Sequence, residues 1–182
     1  FPDFPEYSLK TKLARSVIFG HYGENATMVV ADSKTTVTDL EKFSKVSKEK
    51  TVIIPYIPPP YILKNKNMTK EEALAITAKF DINFEYIFYP AQFWYQKNHL
   101  RLLEAIYILK KNYDLKVNLV LAGKDSGSKI YDSVKRMIVK KINELEISDQ
   151  VKILGYVEQI ETVALYKRSI ALISPAIQVP TT

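Results

Sequence analysis

Residues 84–123 carry the pattern that most restricts what this chain can fold into: a short aromatic and β-branched run, a loop, a long amphipathic segment, and a second apolar run closed by glycine. Residues 84–89 have the composition of a buried strand. Pro90 is expected to end that strand, because proline brings no N–H to a ladder. Asn98 is placed to cap a helix with its side chain. The spacing of Leu102, Leu103, Ile106, Tyr107 and Leu109 predicts that helix, running to Tyr113. Residues 115–122 form the second strand. Strand, helix, strand is a βαβ unit, right-handed in nearly all cases. Ligands of such sheets sit beyond the carboxyl ends of the strands. The loops 90–98 and 123–128 therefore belong side by side at one edge, and each carries a lysine.

The same alternation continues toward the C-terminus. A helix is expected over 129–146, with Ile130, Val134, Met137, Ile138, Ile142 and Leu145 inward and Lys135, Arg136, Lys140 and Lys141 outward. A strand at 151–154, a helix at 158–168 and a strand at 170–173 follow. Residues 84–174 should thus form a parallel sheet of four strands flanked by helices. Upstream, residues 1–7 read as an extended or looping lead-in. Ser8 opens a helix to about His21, with Leu9, Leu13, Val17 and Ile18 on one face and Gly20 and Gly23 punctuating it. A strand at 27–31, a helix capped by Asp32 or Ser33, and a strand at 51–54 make a fragment of a second α/β layer; two strands alone do not make a stable sheet. Pro55, Pro58, Pro59 and Pro60 stiffen the crossing between them. The expected organisation is an N-terminal α/β piece over 1–57, a linker over 58–82 and a second domain over 83–182. Residues 178–182 carry no pattern.

Composition removes several function classes. The chain of 182 residues has no cysteine, which excludes disulfides and Cys-ligated zinc. Its two histidines, His21 and His99, make neither a metal site nor a catalytic triad; both are read as structural. No apolar run approaches the roughly 20 residues of a membrane span. The net charge of +6 comes mostly from lysine and suits solvated faces or phosphorylated ligands. Phe93 and Trp94 beside lysines are compatible with stacking on a base or sugar, or with plugging a domain interface. No nucleic-acid module is present, so nucleic acid is not expected as a partner.

Three stretches, YPAQFWYQKNHLRLLEAIYIL, VNLVLAGKD and VKILGYVEQIETVALYKRSIALISP, together resemble the first part of the C-terminal domain of a family 4 glycosyltransferase of GT-B fold. VIIPYIPPPYIL is more weakly similar to the segment leading out of the N-terminal domain. The resemblance implies a Rossmann-like parallel sheet flanked by helices and a fragment of a second α/β domain. It further implies a retaining enzyme that moves a hexose, such as mannose, from a nucleoside diphosphate sugar to a glycan or lipid-linked acceptor. The implied setting is bacterial surface polysaccharide assembly, in the cytoplasm or at the inner face of the membrane. No cofactor or metal is implied. A non-catalytic nucleotide-sugar-binding or scaffold module, and a GT-B nucleotide-sugar epimerase, remain the alternatives.

By the same resemblance the donor-binding residues are Gln92, Lys97, Asn98, Gly123, Lys124, Gly155, Tyr156 and Val157. Lys97 lies near the positive end of a helix dipole, where phosphate oxygens are welcome, and the family's matching lysine contacts the donor diphosphate. The family usually has Gly-Arg where this loop reads Ala91-Gln92, so an uncharged amide replaces a guanidinium. Gly123 either lets a ligand approach the backbone or makes an ordinary turn. Around Gly155-Tyr156-Val157 the family's backbone pairs with the nucleotide base. The family's paired glutamates would follow the Ser-Pro that closes the last strand, so no catalytic residue is expected within these 182, and the chain alone is expected not to transfer sugar. The basic face of helix 129–146 is a candidate for peripheral contact with anionic lipid.

Overall fold

In the computed structural model, which describes residues 8–124 and 129–176, the chain divides into two units, one up to Pro58 and the other from Pro59. The expectations for residues 1–7 and 178–182 and for the 125–128 part of the loop fall outside the described residues.

The first unit begins with α1 (Leu9–Asn25), whose N-cap Ser8 hydroxyl accepts the Thr11 N–H at 3.2 Å. Gly20 and Gly23 lie inside this helix rather than ending it. Gly23 is buried, and a Cβ there would fall 2.5 Å from the Val46 methyl. The residue that reads as a breaker is a close-packing point instead. β1 (Val29–Ala31), α2 (Lys34–Ser44) and β2 (Thr51–Ile53) follow, and the two strands pair in parallel from Val29↔Thr51 to Ala31↔Ile53. Ser33 caps α2, and the Asp32 carboxylate accepts from the hydroxyls of Ser33 and Thr36. The face expected to bury α1 is open: Leu9, Leu13, Val17 and Ile18 are all exposed. Periodicity marked the apolar residues correctly, but among the described residues a two-stranded sheet offers them no layer to pack against.

The second unit holds α3 (Pro60–Lys64), α4 (Lys70–Thr77), β3 (Ile87–Pro90), α5 (His99–Tyr113), β4 (Leu119–Ala122), α6 (Lys129–Glu144), β5 (Val151–Gly155), α7 (Gln159–Arg168) and β6 (Ala171–Leu172). The four strands form one parallel sheet in the order β5-β4-β3-β6. This is the expected architecture. Pro90, however, belongs to β3 and pairs with Ala122. Ile87 and Ala91 donate to the β4 side at 2.9 and 2.8 Å, so the alternation turns position 90 toward β6, beyond the Phe88↔Leu172 pair. The missing N–H falls where no ladder partner remains, and proline is tolerated there.

Alternate residues supply the two faces of the sheet. Tyr89, Leu119 and Leu121 pack with Leu103 and Ile106 of α5 and Val134 and Ile138 of α6. Phe88, Val120 and Ala122 pack with Tyr86 and Leu165 on the α7 side. α4 lies over α7 through Ala73, Val163 and Ala164. It opens with a capping box in which the Thr69 hydroxyl accepts the Glu72 N–H at 3.1 Å and the Glu72 carboxylate accepts the Thr69 N–H at 2.7 Å. Arg168 ties the far ends of these helices together, donating to the Thr77 hydroxyl at 2.6 Å and the Ile82 carbonyl at 2.7 Å.

On α6, Met137 is exposed, not inward, and accepts a hydrogen bond on sulfur from the Tyr95 hydroxyl at 3.1 Å. The basic residues of α6 do not form an undivided outward face either. Lys141 turns onto α5 to pair with Glu104 at 3.1 Å, and Lys140 pairs with Glu144 at 3.6 Å. Among the described residues, no helix is long and apolar enough to cross a membrane.

Candidate functional site

The strand order places a reversal between β3 and β6: β4 and β5 extend the sheet on one side of β3, and β6 returns to the other. In open α/β sheets the crevice outside the carboxyl ends at such a switch point is where ligands bind. The loop after β3 and the first turn of α5 border that crevice on one side, and residues 173–176 after β6 on the other.

The loop after β3 is held by its own backbone. Trp94 N–H donates to the Gln92 carbonyl at 2.8 Å, Lys97 N–H to Trp94 at 3.0 Å, and Asn98 N–H to Tyr95 at 2.9 Å, closing a single 3₁₀ turn. Asn98 then enters the left-handed region at φ 57°. It occupies the N-cap position of α5, yet its side chain makes no cap hydrogen bond. It donates instead to the Pro175 carbonyl at 3.0 Å, from one side of the crevice to the other. The expected capping role is therefore corrected: asparagine is here for its tolerance of positive φ and for an amide that reaches β6's loop. Lys97 is half-buried and has no carboxylate partner among the described residues. Its carbonyl accepts from the Tyr89 hydroxyl at 2.8 Å. Gln92 is exposed.

The other expected residues arrive at the same edge. Gly123 N–H donates to the Gly155 carbonyl at 2.8 Å, and Ala91 N–H to Ala122 at 2.8 Å, so the ends of β3, β4 and β5 lie rung beside rung. A Cβ on Gly123 would fall 2.3 Å from the Ala91 carbonyl oxygen and 3.2 Å from Gln92 Cα. Glycine is needed there for the approach of the neighbouring loop. Gly155 has open space around it but a φ of +73°, so its requirement is conformational. Lys124 is exposed, Tyr156 is largely exposed, and Val157 packs against the core beneath α7. Gln92, Lys97, Asn98, Gly123, Lys124 and Gly155-Tyr156-Val157 thus share the carboxyl edge of one sheet.

His99 and Tyr89 support this loop from below, and the sequence reading did not credit Tyr89 with any part in it. The His99 ring is buried between Tyr89, 4.9 Å away, and Phe93, 5.3 Å away. Phe93 is thus a packing residue. Neither imidazole nitrogen has a hydrogen-bond partner of good geometry. Burial pulls His99 down to about 4, opposed by the Ala91 and Trp94 backbone and aided by the Lys97 ammonium, so the ring is neutral. Burial also pushes the Tyr89 hydroxyl up to about 12, which keeps it a donor. No group of histidines and carboxylates suited to a metal ion occurs among the described residues.

Solved structures share this architecture. A glycosyltransferase from Rickettsia africae superposes with a TM-score of 0.73 at 23% identity, over 89% of this chain and 42% of that one. HepE of Anabaena in complex with UDP-glucose gives 0.68 at 16% identity, over 94% and 44%. Sucrose-phosphate synthase of Thermosynechococcus elongatus gives 0.63 at 16%, over 97% and 41%. The chain therefore spans less than half the length of each. Among curated proteins none matches significantly. Residues 72–178, more than half of the chain, match the family described as glycosyl transferases group 1, and the chain belongs to that family.

Proposed function

We propose that this chain supplies the nucleotide-sugar-binding part of a retaining glycosyltransferase, which passes a hexose from a nucleoside diphosphate sugar to a glycan or lipid-linked acceptor. The observation that carries the reading is Lys97: a half-buried cation that has no carboxylate partner among the described residues, beside the N-terminus of α5, at the switch point of a parallel sheet. A departing nucleoside diphosphate gains negative charge as the sugar leaves, and a fixed cation beside it stabilises that change. Gln92 and the first N–H groups of α5, which no helical carbonyl takes up, contribute neutral donors to the same phosphates. Gly123 and Lys124 border them, and the 155–157 backbone faces the base. HepE carries UDP-glucose on this fold, which supports a nucleotide sugar as donor. The family likeness suggests surface polysaccharide assembly in the cytoplasm or at the inner membrane face.

The test is calorimetric titration of the full chain with UDP and with GDP. Binding of one of them should weaken at least roughly tenfold in Lys97→Ala, the loss of a charge-assisted contact. Lys66→Ala, an exposed lysine far along the chain from this loop, is the control and should bind as the parent does. Parental affinity of a folded Lys97→Ala for both nucleotides would remove the phosphate role.

A further inference from the structure

Lys97 has a flexible side chain, so the value of its charge depends on where the backbone beneath it is held. Two hydrogen bonds from side chains hold that backbone. The Asn98 amide reaches the Pro175 carbonyl, and the Tyr89 hydroxyl reaches the Lys97 carbonyl from within β3. Tyr89 is only 3% exposed, sits on a strand of the four-stranded sheet, and packs against His99 with the two rings tilted by 40°. Its hydroxyl is therefore a fixed point to which the 3₁₀ turn is tied. A strand residue that only packed against α5 would need no hydroxyl, since the rest of its ring lies in an apolar cluster with Leu103 and Leu121.

We propose that Tyr89 is a positioning residue for donor binding, its hydroxyl fixing the Lys97 carbonyl so that the lysine ammonium meets the diphosphate. The inference rests on the assignment of Lys97 to the donor phosphates. Removing the hydroxyl releases the turn without removing any charge, so the diphosphate part of the affinity should fall while nucleoside binding stands.

Tyr89→Phe in the full chain keeps the ring and deletes the hydrogen bond. Inorganic pyrophosphate and uridine are the probes, titrated into the parent, Tyr89→Phe, Lys97→Ala and the double variant, with thermal melts of all four. Pyrophosphate affinity should fall about three- to tenfold in Tyr89→Phe, more in Lys97→Ala, and no further in the double variant than in Lys97→Ala, because the hydroxyl acts only through the lysine. Uridine affinity should be unchanged. Parental pyrophosphate affinity in Tyr89→Phe, with Lys97→Ala impaired, overturns the positioning role and leaves the lysine assignment standing. A further fall in the double variant, or a parallel loss of uridine, means that Tyr89 acts through general structure and likewise overturns it. Undiminished pyrophosphate binding in Lys97→Ala overturns the lysine assignment itself and the positioning role with it.

Discussion

The Asn98 side-chain amide donates to the Pro175 carbonyl at 3.0 Å across 77 residues of sequence. This bond links the loops that follow β3 and β6, the two strands flanking the switch point. Both requirements on position 98, positive φ and a reaching amide, are met by asparagine. Glycine meets only the first and alanine neither.

Stability at position 98 should therefore fall in the order Asn, Gly, Ala. Asn98→Gly loses about 1 kcal/mol with the hydrogen bond, and Asn98→Ala loses in addition roughly 1–2 kcal/mol for the left-handed conformation. Urea unfolding of the three proteins measures the order. An alanine variant as stable as the glycine variant would show that the backbone at 98 relaxes out of the left-handed region.

The two glycines of the edge should respond differently. Gly123→Ala places a methyl against the Ala91 carbonyl, and overpacking against backbone costs about 1–3 kcal/mol. It also displaces the loop bearing Gln92, so nucleotide affinity should drop with stability. Gly155→Ala meets open space and pays only for its φ, about 1–2 kcal/mol. Melts and UDP titrations of both variants decide the matter, and parental affinity in a folded Gly123→Ala would separate Gly123 from the site.

The sheet was legible because each of its strands is a short apolar run beside a helix of clear period, as with Leu119–Ala122 and the Leu102, Leu103, Ile106 face of α5. Which loops share the candidate edge was legible because a βαβ order dictates it. What escaped depends on contacts between residues distant in sequence. Gly23 reads as a break until Val46 is seen against it. Asn98 reads as a cap until Pro175 appears opposite. Lys141 reads as a solvated charge until Glu104 comes within 3.1 Å. Tyr89 reads as one more core aromatic, since nothing in a strand pattern tells where a hydroxyl ends.

Arg168 should be a stability residue with no part in ligand binding. Its guanidinium joins the ends of α4 and α7 through Thr77 and the Ile82 carbonyl, and hydrogen bonds to charged groups contribute about 1.5–3 kcal/mol each. Arg168→Met, which keeps most of the apolar stem, should destabilise the second unit by at least 2 kcal/mol in urea while leaving UDP affinity unchanged under native conditions. A variant with parental stability would mean that the buried Thr77 hydroxyl is satisfied by the Ala73 carbonyl alone, to which it donates at 2.7 Å.

His99 should make the protein acid-sensitive in a defined window. Its folded value of about 4 lies below the ordinary 6.5, so the unfolded chain takes up the proton first. Above pH 6.5 the ring is neutral in both states and contributes no pH dependence. As pH falls from 6.5 toward 4, stability is lost, and below 4 the loss is complete at about 3 kcal/mol, given 1.36 kcal/mol per pH unit. Carboxylates held below their usual range also lose stability in acid. Glu161 is one: burial opposes its ionisation, but the Lys79 ammonium and the Glu158 N–H outweigh burial. Those losses are common to any His99 variant. His99→Phe keeps an aromatic ring between Tyr89 and Phe93 and cannot titrate. Urea midpoints at pH 7.5 and pH 4.5 should therefore converge in His99→Phe relative to the parent, with most of the difference arising below pH 6.5. If the two proteins lose the same stability on acidification, the imidazole is protonated within the fold, and the neutral ring beneath the Lys97 loop is wrong.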